Sequence, residues 1–318
     1  MLGAAHKPGA IALRPLSLGD MYDGAFRIIR FNPRATVGAA VLVSAVAMVL
    51  PLLVTAVLTW TVDASYDFYG ESTDPLSEGD ALAIVGSMGS LGIGALLQMV
   101  GTVLVTGMLA QVTHAAALGR RMSLGEAWAS TRGGRWRLIG LAVLQLALVV
   151  LGLAVYVVVW VLLALGENVA VLVVWGLVSV PAVLFALLFF WVRVALLSTP
   201  ALMVERLGVF ASLGRAARLS HRQFWRILGV ALLTLLLVSI AGQVLGLPLG
   251  ILGVVADAFV PEQYSLLTLV VVQSLTMVVT AAFVTPFTGA VTSLQYLDQR
   301  MRKEAYDVEL MRQAGLAG

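Results

Sequence analysis

Apolar positions in this chain do not alternate with polar ones as they do in a soluble fold; they gather into long unbroken runs. Six such runs, at 37–60, 81–118, 138–165, 169–198, 227–256 and 266–297, each reach the ~20 residues a helix needs to cross hydrocarbon. Several exceed that length, which predicts tilted, kinked or over-long helices. Pro181 and Pro248 fall inside the fourth and fifth runs and mark expected kinks. The second run opens with Gly86, Gly89, Gly92 and Gly94. It is read as one long helix, because a further crossing would disturb the charge pattern below.

A second pattern precedes every other run. It reads SLGDMYDGAFRIIRFNPRATVG from Ser17, MSLGEAWASTRGGRWRLIG from Met122 and ASLGRAARLSHRQFWRILG from Ala211. In the first copy Leu18, Met21, Tyr22, Ala25, Phe26 and Ile29 recur at spacings of three and four, which is one face of a helix. Asp20, Asp23, Arg27 and Arg30 take the other face. Ser17 with Asp20, and Ser123 with Glu126, have the spacing of a helix start in which the hydroxyl caps a free N–H; the Ser/Glu pair fits the reciprocal capping box better. The third copy has Arg215 in place of an acid, and Arg215, Arg218, Arg222 and Arg226 read as a basic stripe at helical spacing. These segments suit helices in the membrane interface, apolar face against acyl chains, with Trp128, Trp136 and Trp225 at the boundary.

The expected architecture is therefore all-α: a polytopic membrane protein of six transmembrane helices, arranged as three parallel repeats of interfacial amphipathic helix plus helical hairpin. The chain is one membrane domain, with repeats at about 14–118, 119–205 and 206–310. Because the copies share one orientation, the inverted repeat behind rocking transporters is missing.

Composition agrees, with 60% hydrophobic and 12% charged residues where a soluble domain has about a quarter charged. The absence of cysteine excludes disulfides and thiolate metal sites. Segments 1–36, 119–137, 199–226 and 298–318 hold 5, 5, 5 and 4 Lys or Arg residues, and the twentieth, Arg193, lies near the same end of the fourth run. The opposite loops, 61–80, 166–168 and 257–265, hold none, and 61–80 carries Asp63, Asp67, Glu71, Asp74, Glu78 and Asp80. The positive-inside rule then makes both termini cytoplasmic in a multi-pass cell-membrane protein. The polar, proline-interrupted first 36 residues read as a lead-in to an uncleaved helix rather than a secretory signal.

Charge is nearly absent from the runs, which argues against an ion-coupled pump. Arg193 lies within snorkelling reach of the cytoplasmic boundary, and Glu167 and Asp257 sit at the outer one. Gln98, Gln145, Gln243 and Gln273 remain, with hydroxyls such as Thr102, Thr106, Thr113, Thr276 and Thr280. Two readings stand: hydrogen bonds between helices, or a polar cavity lined by Gln98, Gln243 and Gln273. Gly242, Gly246 and Gly250, and more weakly Gly86, Ser90 and Gly94, suggest close helix packing within the chain or between protomers. No Walker loop, HExxH or nucleophile elbow is present, and His6, His114 and His221 are scattered.

The stretch RPLSLGDMYDGAFRIIRFNPRAT, the segment TPALMVERLGVFASLGRAARLSHRQFWRILG and the ending TPFTGAVTSLQYLDQRMRKEAYDVEL resemble a group of actinobacterial integral membrane proteins. That group carries the label of the membrane domain of glycerophosphoryl diester phosphodiesterase. The resemblance covers nearly the whole chain and is most specific at Arg14–Gly19 and in the Asp298-Gln299-Arg300-Met301-Arg302 ending. It implies a helical membrane domain. It brings no catalytic residue, because the hydrolysis in that class belongs to a separate soluble barrel.

The functional expectation is a non-enzymatic scaffold or accessory factor that binds anionic lipid or a protein partner through its cytoplasmic arginines. The candidates are Arg27, Arg30, Arg34, Arg132, Arg135, Arg137, Arg215, Arg218, Arg222 and Arg226. Topology and anchoring alone are the plainer reading of the same residues. The alternative function is a transporter or lipid-moving protein built on the glutamine cavity. No cofactor, metal or nucleic acid is expected; membrane lipids, a protein partner or a second copy of the chain are.

Overall fold

The computed structural model describes residues 11, 14–61, 78–166 and 168–313. The acidic segment from Asp63 to Asp74, the side chains of Glu78 and Asp80, Glu167 and His6 lie outside the described residues. The described part is helical, and six helices are long and apolar enough to cross a membrane. This is a multi-pass membrane protein.

A short helix α1 (Leu18–Phe31) leads into α2 (Pro33–Thr61), and α3 (Glu78–Ala117) returns. The short helix α4 (Leu124–Ser130) leads into α5 (Arg135–Ala164), and α6 (Val169–Phe190) returns. A π-helical turn at Trp191–Ala195 then joins α6 to α7 (Ser198–Val204). Finally α8 (Val209–Ser220) leads into α9 (Phe224–Asp257), α10 (Ser265–Glu304) returns, and α11 (Tyr306–Gln313) follows. Each Ser-Leu-Gly copy thus sits at or in a short helix just ahead of a spanning one. The second apolar run is a single helix, as its charge pattern requires.

The caps explain where two of the short helices begin. Ser17 and Ser123 each accept a hydrogen bond from the backbone three residues on, while Asp20 and Glu126 reach back to the cap N–H. Both copies therefore form the full reciprocal box, not only the second. The third copy departs: α8 starts earlier, after Gly208, and Ser212 is buried inside it with its hydroxyl turned to the Val209 carbonyl.

Small residues set the tightest helix contact. A Cβ on Gly86, Gly94 or Gly101 of α3 would collide with Leu58, Pro51 or Val43 of α2, the last at 2.0 Å. Ser90 is buried in the same row, so this small-residue stripe holds the chain's own helices together. In α9 only Gly246 and Gly253 press on α10; Gly242 and Gly250 face open space.

Forty residues make α10 about 60 Å long, twice the hydrocarbon thickness. Its second half is wrapped on every side, and each residue from Gly289 to Gln299 is buried. Here α1 corrects the sequence picture. Its apolar residues Met21, Ala25 and Ile28 are buried in the protein core, and Tyr22 stacks on Phe287 of α10 with ring centres 5.9 Å apart. Leu18 and Phe26 stay partly exposed on that side, and the Phe26 ring also packs on Phe287 with centres 5.0 Å apart. The face expected against acyl chains is covered by protein instead, because α10 extends far enough past the bilayer to receive it.

Pro181 and Pro248 lie within continuous helices, as do Pro51 and Pro286. The break in the fourth span is the π-turn ten residues beyond Pro181. Its widened backbone is held by Ser220, whose hydroxyl bonds the Arg193 carbonyl at 3.0 Å, and by Ser198, which bonds the Ala195 carbonyl and accepts from Gln145.

Candidate functional site at the basic end

Chain alternation puts α1, α4, α8, the end of α10 and α11 at one end of the bundle, and the arginines divide there into two sets. The first set is consumed inside the protein. Asp298 is fully buried and accepts from the Leu16 backbone N–H at 2.8 Å, from Arg302 Nε at 2.9 Å and from Arg226 at 3.3 Å. The same two guanidinium groups also donate to the Leu16 carbonyl, at 3.0 and 2.6 Å. The two most specific stretches of sequence, Arg14–Gly19 and the Asp298–Arg302 ending, are therefore bound to each other. A buried carboxylate is tolerable only with such partners, and each of these bonds is charge-assisted.

A second knot joins α7, α8 and α10. Arg215 bridges Glu205 at 2.8 Å and also pairs with Glu304, whose other contact is Arg300 at 3.1 Å. The hydrogen bond to Glu304, added to that to Glu205, holds the Arg215 guanidinium above its usual pKa against the effect of burial. Tyr296 donates to Glu205. Arg300 lies 3.6 Å over the Tyr306 ring, and the Tyr306 hydroxyl, its pKa raised by burial, meets His114 Nε2 at 3.0 Å.

Other candidates act as staples. Arg137 donates to the carbonyls of Gly133, Arg206 and Leu207, tying the start of α5 to the α7–α8 turn. Arg135 bonds the Trp128 carbonyl and covers its indole at 3.7 Å, while Arg27 pairs with Asp23 one helical turn away. The expected basic stripe does not exist. Helix α8 ends at Ser220, Arg222 occupies a left-handed position at φ 61°, and Arg226 belongs to α9, where it turns inward to Asp298.

The second set is exposed: Arg30, Arg34, Arg132, Arg218 and Arg222, none with a carboxylate partner among the described residues. Near the last two a cationic group forms. Lys303 Nζ donates to the carbonyls of Arg218 at 3.1 Å and His221 at 2.6 Å, and Arg193 donates to His221 Nδ1 at 3.3 Å. The next residue, Glu304, is already held by Arg215 and Arg300. Trp225, Trp136 and Phe210 stand exposed at this end, each more than 70%.

The three glutamines do not converge. Gln98 donates to Ser44 of α2 at 2.8 Å, within the α2–α3 contact. Gln243 and Gln273 are exposed on α9 and α10. Gly246 faces Thr276 and Gly253 faces Val272, so these antiparallel helices place the two glutamines about eight residues, or about 12 Å, apart along the axis. Thr102 and Thr106 spend their hydroxyls on carbonyls of their own helix. The glutamine cavity is corrected on these grounds: Gln98 is paired across helices, Gln243 and Gln273 are turned outward, and the three do not converge. Among the described residues no group of His, Asp and Glu could hold a metal ion.

Sequence reasoning missed Asp298, Glu205 and Tyr296 as the anchors of this end. Asp298 carried one signal, an acid beside arginines inside the most specific ending. Glu205 carried none, since its partners Arg215, Tyr296 and Arg300 lie on two other helices, α8 and α10. No curated protein and no solved structure matches the chain. Residues 170–313, which contain the π-turn, the third Ser-Leu-Gly copy and both carboxylate anchors, match the family described as the membrane domain of glycerophosphoryl diester phosphodiesterase, the same label that the sequence resemblance carries.

Proposed function

We propose that this chain is a non-enzymatic membrane scaffold or accessory protein whose basic end is cytoplasmic and binds the phosphate headgroups of anionic lipids. The carrying observation is the division of the arginines. Every described carboxylate buried at that end serves an internal arginine, while Arg193 and Lys303 converge on His221 with only carbonyl, imidazole or ring contacts, Arg222 stands within electrostatic reach of Lys303, and Arg218 lends Lys303 its backbone carbonyl. Like charges held together in this way favour an anion between them, and each cation near an anionic surface contributes about 1 kcal/mol. Exposed Trp225 and Phe210 supply the amphipathic and apolar contacts of the headgroup level. The bias of basic residues to this end supports the cytoplasmic orientation.

The test compares wild type with a double variant, R218Q and R222Q, purified in detergent and offered phosphatidylglycerol against phosphatidylcholine. Native mass spectrometry should show phosphatidylglycerol retention weakened by about 30-fold, with phosphatidylcholine unaffected. Equal retention by the correctly inserted variant sinks the reading. The proposal does not extend to transport, since the glutamines invoked for it do not share a cavity.

A further inference from the structure

Midway along α9 the fold leaves one amide unserved. Gln243 is exposed, and its side chain makes no hydrogen bond among the described residues. Ser239, one turn away, is likewise exposed and without a partner. Gln98 and Gln145 show the usual arrangement for a glutamine in a span: each donates across a helix contact, to Ser44 and to Ser198.

Depth decides what this difference means. With 34 residues, α9 is about 51 Å long. Gln243 lies about 21 Å from its outer end at Asp257 and about 29 Å from its basic end at Phe224. A hydrocarbon layer of about 30 Å centred on the helix therefore holds Gln243 about 4 Å from its midplane. An amide on two methylenes is too short to reach either boundary from there. Acyl chains offer it neither donor nor acceptor, and an unpaired amide in hydrocarbon is costly.

The surroundings of Gln243 form one unpartnered face. Leu236, Ser239, Gln243, Leu247, Gly250 and Val254 recur at spacings of three and four and are all exposed, whereas the contact with α10 runs along Gly246 and Gly253. Lipid solvates the large aliphatic side chains of this face as well as protein would, so the amide is the group that gains from a partner. That partner must present both an acceptor and a donor at the same depth. A second copy of the chain meets both conditions. Copies inserted with one topology pair about a two-fold axis along the membrane normal, so each residue at the centre of the shared face meets its own counterpart at its own depth. An amide is also its own complement, since each carbonyl oxygen accepts from the other's N–H.

We propose that the chain forms a two-fold homodimer in the bilayer through this face of α9, closed by a reciprocal amide pair between the two Gln243 side chains. The small side chain of Ser239 and the open position at Gly250, where a Cβ would meet nothing within 4 Å, give the helices room to approach. The dimer uses no arginine of the basic end, so it stands or fails apart from the lipid reading.

The experiment places the full chain, carrying a terminal dye, in phosphatidylcholine vesicles over a range of densities and counts copies by single-molecule photobleaching. Q243L is more apolar than wild type at a lipid-facing position, so a lost fold does not explain a lost dimer. It should raise the dissociation constant about tenfold, the effect of losing two interhelical hydrogen bonds. G250L meets no neighbour in the single chain and should weaken the dimer as well. Because the chain has no cysteine, single cysteines map the interface. Oxidation should link S239C to its copy and leave L252C unlinked, since Leu252 is 62% exposed but lies nine residues from Gln243, on the opposite side of α9. A chain that stays monomeric at high density, Q243L dimers as tight as wild type, or L252C linking as well as S239C overturns the proposal. Association that depends on Gln243 but occurs only in native membranes would assign the face to a different protein and overturn the homodimer.

Discussion

The α2–α3 pair and the α5–α6 hairpin are both two apolar helices in succession, and they meet opposite fates. In α2 the buried positions are Ala35, Thr36, Ala39, Ala40, Ser44, Ala47, Met48, Pro51 and Thr55, nearly all small, and α3 answers with Gly86, Gly94 and Gly101. In α5 no residue of the most apolar window is buried, and Val150, Leu151, Val155, Val158 and Leu162 point outward. The more apolar pair is the less packed one. In lipid, a large aliphatic side chain is as well solvated by acyl chains as by another helix, so hydropathy decides membrane residence while small residues decide contact.

The same contrast holds for charge. The packed side of the molecule ends in the Asp298 clamp, whereas the hairpin is fixed by staples such as Arg137 on backbone carbonyls. The comparison breaks most decisively at Asp298. Its replacement by alanine strands Arg226 and Arg302 and frees the Leu16 backbone, and should cost about 3 kcal/mol, the low end for a buried pair because both arginines keep about a third of their side-chain surface in solvent. Thermal unfolding in detergent measures it, and a loss below about 1 kcal/mol would show the clamp to be dispensable.

A smaller effect sharpens the helix contrast directly. Gly101→Ala drives a Cβ against the stiff, β-branched Val43 and should destabilise by about 1–3 kcal/mol. Gly152→Ala on α5 meets nothing within 4 Å and should stay within about 0.5 kcal/mol of wild type. Equal effects at both positions would mean that the hairpin packs as tightly as the core pair.

The smallest effect concerns α4, the short helix ahead of the hairpin. The Ser123 backbone N–H, then its hydroxyl, holds the Glu126 carboxyl below its usual pKa. A carboxyl depressed in the folded state contributes stability above its unfolded pKa and loses it as pH falls through the lower folded value. Amide exchange at Glu126 and Ala127 should therefore accelerate, relative to its intrinsic rate, as pH drops below about 4.5, the ordinary carboxyl value. In E126Q this pH dependence should vanish. Unchanged dependence in E126Q would place the titration elsewhere.

The sequence by itself determined the six spans, the single long α3, the two serine caps and the segregation of basic residues to alternate segments. Each of these is local: length, spacing or charge within one stretch of chain settles it. Only the tertiary structure decided which arginines are free, because that depends on carboxylates far away in sequence; Asp298 meets Leu16 across 282 positions. It also turned the apolar face of α1 from lipid to protein and took Arg215 and Arg226 out of the exposed set. The π-turn had no legible signal, since a widened turn arises from how neighbouring helices fit together. Periodicity records which side of a helix is apolar, and the fold alone decides what covers it.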